Sequence, residues 1–513
     1  MKFKPFQLFS HPLSLVGVIA GMVFVLQMTT AKNYGIFRDE FYYLDCAKHL
    51  AWGYVDHPPF SIAVLAFVRL SLGESVHALR LVPALANAAL VLFTAFLARE
   101  MGGKKVAINL AALCTALAPE FLGISSFYSM NVFDFLFWAG MFFIILRLIN
   151  TENPKWWLVF GVLAGLGMLN KISVLFLGLG LVVGLLFTSH RKYLLDKYFW
   201  IGLSIASLLF LPHVLWQIAT GWPTLEFISN AQRYKIAQMT PVEFILDRLL
   251  SMNPASVVVW LAGLGMLLFS KSLKKYRLFG IAFLTILIFL ILQQSKGYYL
   301  AAAFPILFAA GGLALEIWSR KHSLRWIHSV VIIIILLVGL GILPFAVPLL
   351  PVERFLAYQS AIGLKPAGME RNTLGELPQH FADRFGWEDM ARTVSQIYQN
   401  LPLEYQKNCV FVANNYGEAS SLNYYRKKYS LPPVVCQHNN HYLWGYAPAT
   451  EQSTLLLLGR NEIDLKREFE YVEQVGTIRL HYSMPYENNL AVHVCRGLKG
   501  TLEDAWKKGK HFI

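Results

Sequence analysis

The sequence predicts a polytopic α-helical membrane protein of about eleven transmembrane helices, followed by a soluble C-terminal α/β domain. Three observations predict it. Of the 513 residues, 56% are hydrophobic and only 15% charged, where soluble domains carry about 25% charged residues. Long apolar runs recur through the first 350 positions, each of the order needed to cross the hydrocarbon of a bilayer. From Pro351 onward those runs vanish and short alternating segments replace them.

Lys2 and Lys4 precede an apolar stretch from about Leu13 to Met28. No clear small-x-small cleavage site follows, so it reads as a retained first helix. Further spans fall near 78–98, 106–122, 131–149, 157–170, 172–189, 199–219, 255–270, 278–293, 299–318 and 327–350, with outer loops near 31–77 and 220–254. Residues 1–350 hold 27 Lys and Arg against 14 Asp and Glu, a net of +13, whereas residues 351–513 hold 18 against 17. The excess sits between spans, at Arg99/Lys104/Lys105, Arg147/Lys155, Arg191/Lys192/Lys197, Lys271/Lys274/Lys275/Arg277 and Arg320/Lys321/Arg325. That is the positive-inside pattern and not a face for phosphodiesters, which excludes nucleic acid as a partner. With the N-terminus in the cytoplasm every even loop is basic, and an odd number of spans puts the C-terminal region outside. The expected location is the cytoplasmic (inner) membrane, multi-pass.

Within residues 351–513, Cys409–Ala413, Pro433–Cys436, Thr454–Leu458 and Leu490–Cys495 read as strands. Trp387–Asn400, Glu418–Lys428 and Ile463–Glu470 read as helices, and the alternation predicts a small α/β domain. The five cysteines show no CxxC pair and no metal-ligand spacing, and a disulfide among Cys409, Cys436 and Cys495 stays open. His438 and His441 read better as part of a folded turn than as metal ligands.

The chemistry concentrates after the first span, in Arg38-Asp39-Glu40 and Asp56-His57, embedded in aromatic residues at a membrane exit. A carboxylate near low dielectric, with a cation beside it, suits a general base. Asp134 lies inside an apolar run, where a carboxylate is costly and points to function. Lys171 divides two apolar segments and must find an anion or water, and Lys296 marks the outer end of a helix hairpin, just before Tyr298 and Tyr299. Snorkelling to an interface is the bland reading of both lysines. Outer-face lysines beside membrane helices suit an anionic lipid head group, and with a carboxylate base they suit transfer from a lipid-phosphate donor. Asp39, Glu40, Asp56 and His57 are also of the types that hold a divalent metal, so such a metal stays open as a cofactor although no metal ligand set is assigned. Glu120 precedes the second outer loop and either caps a helix or lines a cavity.

The run Arg38-Asp39-Glu40, Tyr42-Tyr43 and Gly53-Tyr54-Val55-Asp56-His57-Pro58-Pro59 resembles the first outer loop of bacterial GT-C-type glycosyltransferases, relatives of the protein O-mannosyltransferases and the lipid A aminoarabinose transferase. Phe127 to Asp134, Leu169-Asn170-Lys171, Lys296-Gly297-Tyr298-Tyr299-Leu300 with Pro305, Asn415-Tyr416-Gly417-Glu418-Ala419 and His438 to Gly445 resemble further segments. The resemblance implies a GT-C-like domain over residues 1–350 and an extracytoplasmic domain over 351–513. It implies a polyprenyl-phosphate sugar donor, a lipid, glycan or protein acceptor, and inversion at the anomeric carbon. By that resemblance Asp39 is the catalytic carboxylate with Glu40 in support. Lys171, Lys296 and Arg38 would bind the donor phosphate, and Asp56, His57, Glu120, Asp134, Tyr298 and Tyr299 would line the substrate pocket. The competing reading is a secondary transporter or flippase that uses Asp134 and Lys171, but the two related halves common in transporters are not evident.

Overall fold

The computed structural model describes residues 13–321, 324, 326–366, 368 and 370–513. Lys2, Lys4 and Arg325 of the charge pattern lie outside the described residues. Each of the eleven apolar runs falls on a helix. In chain order the membrane part comprises α1 (Ser14–Thr29), α2 (Arg38–Lys48), α3 (Phe60–Leu72), α4 (Val76–Glu100), α5 (Lys105–Ala116), α6 (Pro119–Ile124), α7 (Met130–Thr151), α8 (Trp156–Asn170), α9 (Val174–Leu186) and α10 (Lys197–Ala219). It continues with α11 (Pro223–Asn230), α12 (Pro241–Ser251), α13 (Val257–Phe269), α14 (Arg277–Leu292), α15 (Phe304–Lys321) and α16 (Trp326–Ala346).

The helices differ in length. Among the described residues six helices are long and apolar enough to cross a bilayer alone, or up to eight if each of two bent pairs is one span. The run at 106–122 splits because α5 stops at Ala116 and Pro119 opens α6, where its missing N–H costs nothing. The run at 172–189 ends at Leu186 and turns by 117° into a 3₁₀ segment. The two long connections expected to be outer loops are also folded. Residues 31–77 contain α2 and α3, and 220–254 contain α11 and α12. Helix α3 is short and apolar on both faces, with Ile62 and Leu65 buried but Phe67 and Leu70 exposed. Small residues let helices approach closely. Gly161 of α8 faces Gly202 of α10, and Gly263 of α13 faces Gly311 of α15, leaving no room for a Cβ at either crossing.

The C-terminal part begins with α17 (Val352–Ile362), followed by α18 (Gln379–Ala382), α19 (Trp387–Gln399) and α20 (Leu403–Gln406). Then come β1 (Cys409–Ala413), α21 (Tyr416–Tyr429), β2 (Val434–Cys436), α22 (Asn440–Trp444), β3 (Thr454–Leu458), α23 (Glu462–Glu468), β4 (Phe469–Ile478), β5 (Leu490–Leu498) and α24 (Leu502–Lys508). The sheet order is β2-β1-β3-β5-β4. The first three strands are parallel, with Phe411 opposite Val434 and Leu456, while β5 and β4 are antiparallel, with Leu456 opposite Val494 and Tyr471 opposite Arg496. The strand missing from the sequence reading is β4, an edge strand whose residues are mostly part-exposed, so no apolar run announces it. The helix expected to reach Glu470 ends at Glu468. All five cysteines are buried free thiols, which closes the question of a disulfide.

One sheet face packs on α19 and α21 through Trp387, Met390, Phe411, Leu422, Leu456 and Val494, and Ile36 and Phe41 from the connection between α1 and α3 complete that core. Helix α2 is therefore wedged between the two parts of the chain. Asn423 Nδ2 donates to Asp45 at 2.8 Å, and the Arg38 N–H donates to the Asp383 carbonyl at 2.9 Å.

Candidate active site

The start of α2 sorts three consecutive charges onto different surfaces, because neighbours on a helix diverge by about 100°. Glu40 faces inward and is 0% exposed. Arg80 of α4 grips it, Nη2 to Oε2 at 2.7 Å and Nε to Oε1 at 3.0 Å, and the N–H groups of Phe37 (2.8 Å) and Tyr128 (2.9 Å) donate to the same carboxylate. Burial alone would raise the Glu40 pKa, but Arg80 and these donors bring it below the usual range. Asp39 points the other way, its side chain 34% exposed. The Tyr416 hydroxyl donates to Asp39 Oδ1 at 2.8 Å, and Arg38 Nε lies 3.6 Å from the same oxygen. Arg38 is mostly buried against the C-terminal part. It bonds the Tyr486 hydroxyl, lies 3.8 Å from the Asp383 carboxylate and sits 5.2 Å from the Tyr416 ring centre.

Two lysine sites adjoin this helix. Lys296 Nζ donates to Glu370 at 2.9 Å, and Lys235 Nζ lies 3.8 Å from the same oxygen. Gln379 Nε2 donates to the other Glu370 oxygen at 3.0 Å. Burial opposes ionisation of Glu370, but Lys235, Lys296 and Arg38 act on it together and hold it well below the ordinary carboxylate range. Residue 370 is anchored in place by a bridge to Ile236, and the Arg371 N–H donates to the Lys235 carbonyl at 3.0 Å. Lys171 occupies the extended break between α8 and α9, with φ −157° and ψ 132°. Its Nζ donates to Asn131 Oδ1 at 2.8 Å, lies 3.6 Å from Asp134 Oδ2, and sits 4.4 Å and 5.0 Å from the ring centres of Tyr299 and Tyr298. Ser173 Oγ donates to the other Asp134 oxygen at 2.7 Å. The intramembrane carboxylate and the lysine that the sequence left without partners thus neutralise each other. The Met130 N–H, at the start of α7, donates to the Tyr43 hydroxyl at 3.3 Å and joins this pair to α2.

The remaining expected residues spread out. Asp56 accepts from the Tyr42 hydroxyl at 2.9 Å, and His57 Nε2 lies 3.8 Å from it, with the His57 ring packed on Tyr43 and Tyr54. They reach Asp39 only through rings, since Tyr42 packs on Tyr416 at 4.8 Å. Glu120 is paired with Arg248 of α12 at 3.0 Å, tying the second loop to that helix. Among the described residues no three His, Cys, Asp or Glu side chains converge as a metal site; Asp56 and His57 lie together, while Glu40 is turned inward onto Arg80 and Asp39 outward onto Tyr416.

Sequence reasoning missed Arg80, Lys235, Glu370 and Asp383. An arginine within the predicted 78–98 span was a signal, because it needed a buried anion. Glu370 lies in a linker with no pattern to mark it.

Asp383 gives a pH prediction. Burial raises its pKa to about 6, against the pull of Arg38. A folded-state value above the unfolded one, near 3.9, makes a stability contribution that is full below pH 4 and lost as pH rises through 6. Thermal unfolding between pH 4 and 7 is expected to show a shallower decline for Asp383→Asn than for wild type. Parallel curves would reject the assignment.

Residues 56–216 match the family model described as dolichyl-phosphate-mannose-protein mannosyltransferase. A search of curated proteins found no match. The fold resembles ArnT from Cupriavidus metallidurans in a crystal structure bound to undecaprenyl phosphate, with TM-score 0.59 and 14% identity over 93% of this chain and 97% of that one. The apo state of the same protein gives TM-score 0.60 and 12% identity over 94% and 97%. This chain has the GT-C fold. The GT-C likeness extends to the apo oligosaccharyltransferase of Archaeoglobus fulgidus, with TM-score 0.50 and 14% identity over 84% of this chain and 65% of that one. The matched family segment runs from Asp56 to Trp216 within α10 and so contains Asp134 and Lys171, but not Asp39 or Lys296.

Proposed function

We propose that the protein is an inverting glycosyltransferase that moves a sugar from a polyprenyl-phosphate donor to an acceptor at the outer face of the membrane, with Asp39 as the general base. The observation that carries this reading is a part-exposed carboxylate on α2 whose Oδ1 is steadied by Tyr416, set beside Arg38 and a pair of cations from two other segments, Lys235 and Lys296. In a single displacement the acceptor hydroxyl or amine attacks the anomeric carbon and its proton passes to Asp39. The bond from that carbon to the phosphate oxygen breaks, and the polyprenyl phosphate leaves with the electron pair. Lys296 and Lys235 neutralise the charge that grows on the leaving phosphate, and Lys171 adds a further positive charge. Glu40 positions the start of α2 and touches no substrate. Asp134 orients Lys171, and Tyr298 and Tyr299 wall its ammonium. Between α3, α4, α7 and α8 an apolar cleft of about 400 Å³, lined by Phe60, Phe133 and Phe137, suits the isoprenoid chain. The undecaprenyl phosphate held by ArnT supports the donor class. The basic loops at the opposite helix ends support an outward-facing site and C-terminal part.

In this reading Glu370 occupies the phosphate position when the donor is away. Purified protein given a polyprenyl-phosphate sugar and a membrane-lipid or protein acceptor is expected to release free polyprenyl phosphate; no release with any such acceptor would overturn the proposal. Lys296→Ala is expected to raise the donor KM roughly tenfold or more through loss of a charge-assisted contact, whereas Glu370→Ala is expected to lower it. Equal effects of Lys296→Ala on donor and acceptor KM would assign that lysine to structure alone. The arrangement gives less support to a transporter, since Asp134 and Lys171 are paired with each other and the carboxylate on α2 lies outside the bundle.

A further inference from the structure

The turn between α4 and α5, at the end of the bundle away from Asp39, is built on glycine. Gly102 has φ +94°, and a Cβ on Gly103 would press into the Ala98 carbonyl and the Ala107 side chain. Beside this turn opens a cavity of about 480 Å³. One wall is aliphatic, formed by Leu13, Val106 and Ile108, and the rim carries Arg99, Lys104, Lys105 and Arg320. Buried Glu316 supplies the nearest negative charge, and its carboxylate is already engaged. It pairs with Arg320 at 2.6 Å and accepts the N–H groups of Lys104 at 3.2 Å and Ala107 at 2.8 Å. Arg99, Lys104 and Lys105 have no ion-pair partner among the described residues.

We propose that this cavity binds the phosphate head group of an anionic phospholipid, with its glycerol and upper acyl segments against the aliphatic wall. Basic pockets between membrane helices on the cytoplasmic side are suited to such head groups. A free phosphate ion would use the cations but leave the wall to water, so the observations favour the lipid. The site does not depend on the transferase reading. Its leaflet rests on the charge-derived orientation, in which these loops are cytoplasmic.

The test uses the full-length protein in detergent, with dioleoyl-phosphatidylglycerol, dioleoyl-phosphatidylcholine and inorganic phosphate as probes and native mass spectrometry counting bound lipid. The wild type is expected to retain phosphatidylglycerol but not phosphatidylcholine, with millimolar phosphate unable to displace it. R99Q/K104Q/K105Q is expected to weaken retention by at least about tenfold, and Lys105→Glu alone to weaken it measurably. The control R191Q/K271Q/K274Q removes equal charge from other loops at the same end and is expected to stay within about twofold of wild type. Equal loss in the control would mean diffuse surface charge, full displacement by phosphate would mean a plain anion site, and equal retention of phosphatidylcholine would mean a nonspecific groove. Each of these outcomes overturns the proposal.

Discussion

Asp39→Asn is expected to lower transfer about 10³-fold, within the range for loss of a general acid or base, while leaving the protein folded. The side chain is part-exposed and the substitution keeps its shape. The Tyr416 hydroxyl can donate to the amide oxygen as it does to Oδ1, and Arg38 keeps Asp383 and Tyr486 as partners. What the variant lacks is a group able to take the acceptor proton. The readout is free polyprenyl phosphate released per minute, with thermal unfolding measured on the same preparation. A variant that turns over at the wild-type rate would remove Asp39 from the mechanism. A fall in rate accompanied by an equal loss of folded protein would say nothing specific about proton transfer, which is why both readings are needed.

The second large effect concerns stability. Arg80→Met is expected to cost about 3–5 kcal/mol, the range for removing one partner of a buried ion pair. Arg80 is 2% exposed and serves more than Glu40, since it also donates to the carbonyls of Ala31 and Gly35. Its removal leaves a buried carboxylate without a cation and two carbonyls without donors. Adding Glu40→Gln in the Arg80→Met background should recover part of the loss, because the uncompensated charge then disappears. Thermal or denaturant unfolding of the two variants measures both steps. A single-variant cost under about 1 kcal/mol would mean that water reaches Glu40 and that the pair does not hold α2.

The helical membrane architecture was legible because a chain with so many bilayer-length apolar runs could not keep them all from water in a soluble core, and every run found a helix. Their true lengths were harder to read. Hydropathy treats 106–122 as one span, whereas Pro119 and the turn before it divide it in two. Helix α3 escaped notice because a 13-residue apolar segment is too short to register as a span. In the site, Asp39, Arg38, Lys171, Asp134 and Lys296 could be picked out because charge next to hydrocarbon is expensive and therefore conspicuous. The separate fates of Asp39 and Glu40 could not be read before the partner of each was known, since only Arg80 fixes which carboxylate turns inward. Lys235 and Glu370 were hidden for a related reason. They lie in ordinary polar surroundings, and only the folding of the linker against residues 235–236 brings them together.

Ile36 and Phe41 sit in the same apolar cluster as Phe411, Leu456 and Val494. The first long loop to leave the ribosome therefore waits for strands synthesised some 370 positions later before its own side chains are covered. A chain that stopped after α16 would therefore leave Ile36 and the Phe41 face of α2 as bare aliphatic and aromatic surface.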